Sequence, residues 1–221
     1  MNSHLEKNNY TRWGCLKSLL PVASKLTFVD KLKMLGRPLI SPLPFLLRYL
    51  RSNDRMFDIG CGSGALLHLA IKQADVSVAD GCEISDKLIA NVAKLEHSAD
   101  IATVIKITQE TPLPSLTKYT LVTAIDVLHH VLPKKQTAFF EEITKRTKKG
   151  TRLILADINS EKPIGSFLNR LHDLVLAKQW VYPWSATKVL NQLEKLGWKI
   201  DHCSYHRNLW YPHYVIVAER I

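Results

Sequence analysis

The sequence predicts an α/β fold, in which a doubly wound, mostly parallel seven-stranded sheet ends in a C-terminal antiparallel hairpin and follows an N-terminal helical segment. Three observations support this. Short apolar runs alternate with segments of helical period from residue 56 onward. A glycine-rich turn follows the first apolar run, as at the first strand-to-helix turn of such sheets. The last two apolar runs, 199–205 and 213–219, are joined by a turn without a helix, which predicts antiparallel pairing.

The residues before the first strand predict a basic helical arm. Apolar residues between 16 and 35 recur at helical spacing, which predicts one or two amphipathic helices broken near Pro21. Three prolines within residues 37–44 predict an extended connector, and residues 45–50 predict a short helix. We therefore divide the chain into an N-terminal basic helical arm or lid, residues 1–50, and a main domain, residues 51–221.

The net charge of +10 is concentrated in this arm. Residues 1–55 carry ten Lys and Arg against three Asp and Glu, a surplus of seven, whereas the remaining residues carry 20 against 17, a surplus of three. Such a bias indicates either contact with an anionic partner, such as nucleic acid, a membrane surface or an acidic substrate, or a solvated helix face. An N-terminal helical segment of this kind could cover a pocket, lie on a membrane or pack on the sheet.

The glycine-rich turn predicts a nucleoside-binding site. The first strand, 56–59, is followed by three glycines at every second position and then by a helix, 65–73. A turn of this kind directs free backbone N–H groups and the helix N-terminus toward a ligand. The same residues satisfy the dinucleotide fingerprint G-x-G-x-x-G/A. The candidate binding residues of the turn are Asp58, Gly60, Cys61, Gly62 and Gly64.

The pattern Asp-x-Gly-x-Gly-x-Gly resembles the nucleoside-binding loop of class I S-adenosylmethionine (SAM)-dependent methyltransferases. Asp58 distinguishes this resemblance from the dinucleotide alternative. A carboxylate beside the turn would repel a pyrophosphate, whereas SAM carries a cationic sulfonium and a cationic ammonium group. The resemblance covers residues 50–221 and implies SAM as the cofactor.

An acid follows the second strand, predicted over 76–82. Glu83 and Ile84 come at its end, and a helix is predicted over 86–94. Glu83 lies at the distance from the glycines at which a carboxylate accepts the hydroxyls of a ribose, in SAM and NAD enzymes alike. After the third strand, 104–107, the resemblance implies a side chain that meets the adenine; Gln109 is the candidate, because Thr108 stands where an aspartate is common.

The fourth strand, 119–125, leads into Asp126-Val127-Leu128-His129-His130-Val131. This segment resembles the one after strand four in small-molecule class I methyltransferases, where it lines the methyl-donor site, and it implies that Asp126 contributes to cofactor binding. Thr120 departs from the family, which usually has an aspartate there. An oxygen nucleophile would benefit from a base, and histidine fits that task. The catalytic candidates are His130 first and His172 second.

The rest of the chain completes the sheet. We predict a helix over 134–148, a fifth strand over 151–156 ending at Asp157, a helix over 167–177 and a helix over 186–196. In the resembling family the stretch after strand five builds the acceptor pocket. The aromatic residues Trp180, Tyr182 and Trp184 in that stretch suit a flat acceptor, although core packing would also explain them.

Several classes of protein are disfavoured by composition. No apolar run is long enough to span a bilayer, and residues 1–7 lack the features of a signal peptide. The four cysteines are widely spaced and indicate reduced thiols, so we expect a cytoplasmic protein without a metal site. The expected function is SAM-dependent methylation of a small molecule, at an oxygen of an aromatic or lipid-like acceptor. The alternatives are a tRNA or rRNA methyltransferase, an NAD(P)-dependent oxidoreductase and a non-catalytic partner subunit of the same fold.

Overall fold

The computed structural model describes residues 10–96, 103–108, 110–162 and 180–221. Seven strands form one sheet in the order β3-β2-β1-β4-β5-β7-β6, which confirms the predicted fold class. The strands are β1 (Arg55–Ile59), β2 (Val78–Glu83), β3 (Val104–Lys106), β4 (Leu121–Ile125), β5 (Arg152–Ile158), β6 (Trp198–Asn208) and β7 (Tyr211–Arg220). The helices are α1 (Arg12–Ala23), α2 (Phe28–Ile40), α3 (Leu43–Leu46), α4 (Ala65–Ala74), α5 (Asp86–Glu96), α6 (Pro133–Arg146) and α7 (Ala186–Lys195), with 3₁₀ turns at Leu47–Tyr49 and Leu128–His130.

The chain divides into two compact units, residues 1–109 and 110–221. In the first unit β1 pairs with β2 and β2 with β3, all parallel. The strand β1 is apolar apart from Arg55 and Asp58, and four of its five residues are buried, as expected for a strand covered on both faces. Parallel pairing brings the carboxyl ends of β1 and β2 to one edge, with Ile59 opposite Cys82.

The N-terminal helices correct one prediction. The extended connector predicted for residues 37–44 is wrong, because α2 continues through Pro38 to Ile40 and α3 begins at Leu43. Pro38 lies in the last turn of α2, and Pro42 and Pro44 occupy the N-cap and the second position of α3. At the start of a helix the missing N–H of proline has no intrahelical partner to lose, so Pro42 and Pro44 are tolerated in α3.

In the second unit β4 pairs parallel with β5, while β7 pairs antiparallel with both β5 and β6. The predicted hairpin is therefore confirmed, with a two-residue connection at Leu209 and Trp210. The strand β5 is longer than predicted. Its ladder with β7 continues through Asp157 opposite Tyr214 and Ile158 opposite His213, so Asp157 lies inside the strand. The helix predicted over 167–177 falls outside the described residues.

Candidate functional site

The glycine turn between β1 and α4 is closed by backbone hydrogen bonds to the next strand. The N–H groups of Gly60 and Cys61 both donate to the carbonyl oxygen of Cys82, at 2.9 and 3.0 Å. The Gly64 N–H donates to the Cys61 carbonyl at 3.0 Å. These bonds fix the shape of the turn and hold it against the end of β2. Glu83, the candidate residue for binding a ribose, is the last residue of that strand.

Glu83 is bound to this turn through its side chain. Its Oε2 atom accepts from the Gly62 N–H at 2.9 Å, and its Oε1 atom accepts from the N–H groups of Ile84 at 2.8 Å and Ser85 at 3.0 Å. An ionised carboxylate has about four lone-pair positions, so three are used by the backbone. The Glu83 carboxylate is 6% exposed and is held in one orientation at the edge of the sheet.

Two glycines at this point have different environments. A Cβ atom on Gly62 would meet no atom within 4 Å, and its φ is +58°, a conformation that side chains disfavour. The turn therefore leaves a volume beside Gly62 that a ligand can occupy. Gly81 has the opposite environment: a Cβ there would lie 3.0 Å from both the Asp58 carbonyl oxygen and the Cys61 Cβ. Only glycine allows β2 to approach the turn so closely.

Two carboxylates, those of Asp58 and Glu83, lie close enough to the turn to affect its cysteines. Burial, followed by the charges of Asp58 and Glu83, raises the pKa of the Cys61 thiol. Burial also raises the pKa of Cys82 to about 12, and the same two carboxylates add to the effect. Asp58 is 3% exposed within β1. Two buried carboxylates beside the turn favour a cationic ligand and disfavour a pyrophosphate.

The other predicted cofactor residues are placed as follows. The Ile84 side chain is 54% exposed next to the bound Glu83 carboxylate, and therefore offers an apolar surface. Gln109 lies outside the described residues, and Thr108 follows β3. Asp126 belongs to the second unit, directly after β4.

The second unit contains a carboxylate–histidine cluster, made of Asp126, His129, Asp157 and His213. His129 Nδ1 lies 2.5 Å from Asp157 Oδ1, and the His129 N–H donates to Asp157 Oδ2 at 3.3 Å. His213 Nε2 lies 2.8 Å from Asp126 Oδ1. An ionised carboxylate can only accept, so His129 Nδ1 and His213 Nε2 carry the protons in these bonds. The cluster forms two carboxylate–imidazole pairs at the carboxyl ends of β4 and β5.

The cluster is buried and its backbone is unusual. His129, Asp157 and His213 are each exposed by 3% or less. Asp126 has a φ of +58°, a backbone conformation that is uncommon for residues other than glycine. Burial, together with the charges of Asp157 and Asp126, raises the pKa of the Tyr214 hydroxyl, because Tyr214 lies opposite Asp157 on β7.

His130, the first catalytic candidate, lies next to this cluster. It ends the 3₁₀ turn Leu128–His130, and its ring centroid is 4.1 Å from that of His129. His130 is half-buried and its Nδ1 atom is buried, whereas His129 is buried as a whole. The turn is fixed by Gln136, whose Nε2 donates to the Leu128 and Tyr182 carbonyls at 3.0 and 2.7 Å. His172, the second candidate, lies outside the described residues.

The aromatic residues that follow strand five, Trp180, Tyr182 and Trp184, differ in how far they are buried. Trp184 is 8% exposed and stacks on Phe140 of α6 at a centroid distance of 5.8 Å, so it packs in the core. Trp180 is 47% exposed. Of this aromatic group, Trp180 and Tyr182 retain exposed surface, while Trp184 stabilises the packing of α6.

Sequence reasoning missed three residues of these sites. Gly81 carried a signal, since glycine inside a strand marks a close backbone approach. The position of Asp157 after a predicted strand gave no indication of its pairing with His129. His213 carried no signal, because its partner Asp126 lies 87 residues away in the sequence.

Among the described residues, no group of three or more His, Cys, Asp or Glu side chains is arranged to hold a metal ion. Within the same residues no helix is both long enough and apolar enough to cross a membrane.

Comparison with known proteins identifies a family for most of the chain. The family model described as "Methyltransferase domain" matches residues 32–203. No curated protein matches the chain by sequence.

Solved structures share the fold. Magnesium protoporphyrin IX methyltransferase from Synechocystis PCC 6803, with bound SAH, has a TM-score of 0.63 at 21% identity over 89% of each chain. A SAM-dependent methyltransferase from Mesorhizobium loti has a TM-score of 0.65 at 16% identity, over 81% of this chain and 96% of that one. An O-methyltransferase family 2 protein from Planctomyces limnophilus, in complex with apigenin, has a TM-score of 0.67 at 16% identity, over 91% and 66%.

Proposed function

The chain belongs to the methyltransferase domain family, and from that premise we propose that it transfers a methyl group from SAM to an oxygen of a small aromatic or lipid-like molecule. The enzyme class and the methyl donor follow from the family. The acceptor class, the residues that bind the donor and the residues that act on the acceptor are our proposal.

The main observation that supports the proposed donor-binding site is the hydrogen bond from the Gly62 N–H to Glu83 Oε2 at 2.9 Å. It joins the open volume beside Gly62 to an oriented carboxylate that has an acceptor position left for a ribose hydroxyl. We assign Glu83 to the ribose and the exposed side chain of Ile84 to a face of the adenine. Asp58 would supply negative charge for the cationic amino acid portion of the donor.

SAM supplies an activated methyl group, so the chain itself has three tasks: to orient the acceptor, to exclude water and to receive the acceptor proton. We assign the last task to Nε2 of His130, because the Nδ1 atom of this half-buried residue is buried and its ring packs against that of His129. His129 is in turn held by Asp157 at 2.5 Å. In this assignment His129 and Asp157 are positioning residues, and His130 is the group that meets the acceptor hydroxyl.

Two fold neighbours support a flat acceptor. One is named for magnesium protoporphyrin IX, and the other was solved with apigenin. Both of these molecules are planar and aromatic, and this chain has partly exposed aromatic residues at Trp180 and Tyr182. The similarity is one of fold, so the flat acceptor is our proposal and its identity is left to experiment.

The test follows a labelled methyl group from SAM into two fractions of a cell extract, the organic-soluble molecules and the purified RNA. We expect label in the organic-soluble fraction, with mass spectrometry locating the methyl group on oxygen. Label in RNA would assign the protein to the tRNA or rRNA methyltransferases instead. SAM binding without label in either fraction would indicate a non-catalytic partner subunit.

Replacing His130 with Ala tests the proposed base. We expect the transfer rate to fall about 100-fold with little change in SAM affinity, because general bases typically contribute factors of this order. The rate should also lose its dependence on pH in the acid range, where imidazole becomes protonated. His206→Ala, which alters a half-buried histidine of β6, is the control. An unchanged rate and pH profile in His130→Ala would contradict the assignment.

A further inference from the structure

The outward face of α2 is apolar. The helix packs through Asp30, Met34 and Pro38, which recur at every fourth position and are buried. On its other side Phe28 is 75% exposed, Val29 55%, Leu32 54% and Leu39 42%. With about 100° between successive residues of a helix, Phe28, Leu32 and Leu39 point within about 40° of one another. We call Phe28, Val29, Leu32 and Leu39 the α2 apolar stripe.

The neighbouring helix α1 has a similar exposed face. Trp13 and Leu20, seven residues apart, are 64% and 52% exposed, while Cys15, Leu19, Val22 and Ala23 are buried. Single exposed apolar side chains are ordinary on a protein surface, but a continuous row marks an interaction site. Both helices thus combine a buried face with an exposed apolar one.

The sequence before and after the α2 apolar stripe is strongly basic. Between residues 10 and 53 the chain has eight Lys and Arg and one acidic residue, Asp30. Asp30 is 3% exposed and is bound by Lys87 Nζ at 2.9 Å. The α2 apolar stripe is therefore accompanied by exposed lysines, Lys25 and Lys33 among them, and by no exposed carboxylate among the described residues of this range.

We propose that α1 and α2 bind the surface of an anionic lipid bilayer, with the α2 apolar stripe entering the headgroup region and the lysines contacting the lipid phosphates. This combination of Phe, Leu and Val on one side with lysines beside them is typical of helices that lie in the membrane interface. The methylene chains of lysine can lie along the apolar layer while the ammonium groups reach the headgroups.

The geometry favours a lipid surface over other anionic partners. RNA would attract the lysines but has no apolar layer to receive Phe28, Leu32 and Val29. With a rise of about 1.5 Å per residue, the 13 residues of α2 extend about 20 Å, shorter than the roughly 30 Å of a bilayer core. The helix would therefore lie along the surface. This inference does not depend on the proposed function, because its test measures no methyl transfer.

The experiment measures sedimentation of the full-length protein with vesicles of phosphatidylcholine, alone or mixed with phosphatidylglycerol. We expect binding to the mixed vesicles, at least tenfold weaker binding to phosphatidylcholine alone, and loss of most binding in high salt. The double variant Phe28→Ser with Leu32→Ser should bind the mixed vesicles at least tenfold more weakly. Lys25→Gln with Lys33→Gln should reduce the preference for the anionic lipid.

The matched control is Tyr205→Ser with Leu209→Asn, which replaces two side chains of the second unit that are each 58% exposed. It should bind vesicles like the wild type. Thermal melts of all variants check that the fold is retained, as expected for exposed positions.

Absence of wild-type binding to the mixed vesicles, or equal binding by the Phe28/Leu32 variant, would overturn the proposal. A wild-type dimer in solution that the Phe28/Leu32 variant abolishes would assign the stripe to a second copy of the chain instead.

Discussion

Glu83 is bonded to the backbone of the glycine turn at the position where we propose that the ribose binds. Its carboxylate accepts three backbone N–H groups and so fixes the glycine turn in the protein itself, and the same carboxylate is our candidate for the ribose. Hydrogen bonds to a charged group contribute about 1.5–3 kcal/mol each, so Glu83 contributes to folding as well as to binding. Variants of Glu83 therefore need measurements of both stability and ligand affinity. At Gly62 a control variant of equal backbone strain separates the two effects.

The replacement of Gly62 by Ala tests the open volume beside the turn. Alanine at a φ of +58° costs about 1 kcal/mol of stability, but its methyl group would lie where we place the ligand. We expect the affinity for S-adenosylhomocysteine to fall at least tenfold, measured by titration calorimetry.

Gly150→Ala is the matched control for this variant. Gly150 also has a positive φ, +81°, and a Cβ there would also meet no atom within 4 Å. The strain is therefore comparable, and the affinity should not change. Equal affinities of the two variants would show that the volume beside Gly62 is not part of the donor site.

At the scale of the elements, α2 is held by polar contacts at its start. Thr27 caps the helix by accepting from the Asp30 N–H at 3.4 Å, and the Thr27 hydroxyl donates to the Asp30 carboxylate at 2.7 Å. The same carboxylate accepts from Lys87 of α5 at 2.9 Å. These bonds orient α2 so that its buried face packs and its apolar stripe remains outside.

This arrangement predicts a pH dependence. The hydrogen bonds from Lys87 and then Thr27 lower the pKa of Asp30 below its ordinary value of 3.8. A lowered pKa in the folded state means that Asp30 stabilises the protein above pH 3.8 and loses that contribution as the pH falls through the folded-state pKa. Asp30→Asn should therefore lower the free energy of unfolding at neutral pH by about 1 kcal/mol, a modest value because Lys87 is 63% exposed.

Urea denaturation of wild type and Asp30→Asn at neutral pH and below pH 3.8 gives the measurement, and the difference should shrink in acid. The control is Asp201→Asn, which removes an exposed pair with Lys199 at 3.2 Å and should change stability by less than about 0.5 kcal/mol. A difference for Asp30→Asn that is the same at both pH values would contradict the role of its charge.

The elements also show where sequence reasoning was sufficient. Strands and helices with a clear period, such as β1 and α4, were predicted to within one or two residues. The prolines of residues 38–44 were misleading, because their effect depends on whether they fall in a first turn, a last turn or between helices. The extension of β5 to Ile158 depends on its pairing with β7, and a strand's partner is not encoded in its local sequence.

At the scale of the whole molecule, the surplus of positive charge and the proposed donor-binding turn lie in different parts of the sequence. The N-terminal 55 residues carry a surplus of seven positive charges, whereas the glycine turn is flanked by buried carboxylates. Glu83 was predictable because it follows the glycines at a characteristic distance. The pairing of His213 with Asp126 was not, because it joins residues 87 positions apart through the fold alone.

The central claim is that the turn from Asp58 to Gly64, closed by Glu83, binds the donor nucleoside. Titration calorimetry of wild type and Glu83→Gln with S-adenosylhomocysteine, NAD and NADP tests it most directly. We predict saturable binding of S-adenosylhomocysteine alone by the wild type, and at least tenfold weaker binding by Glu83→Gln at a temperature where that variant is folded. Binding of NAD or NADP, or an unchanged affinity in Glu83→Gln, would contradict the assignment.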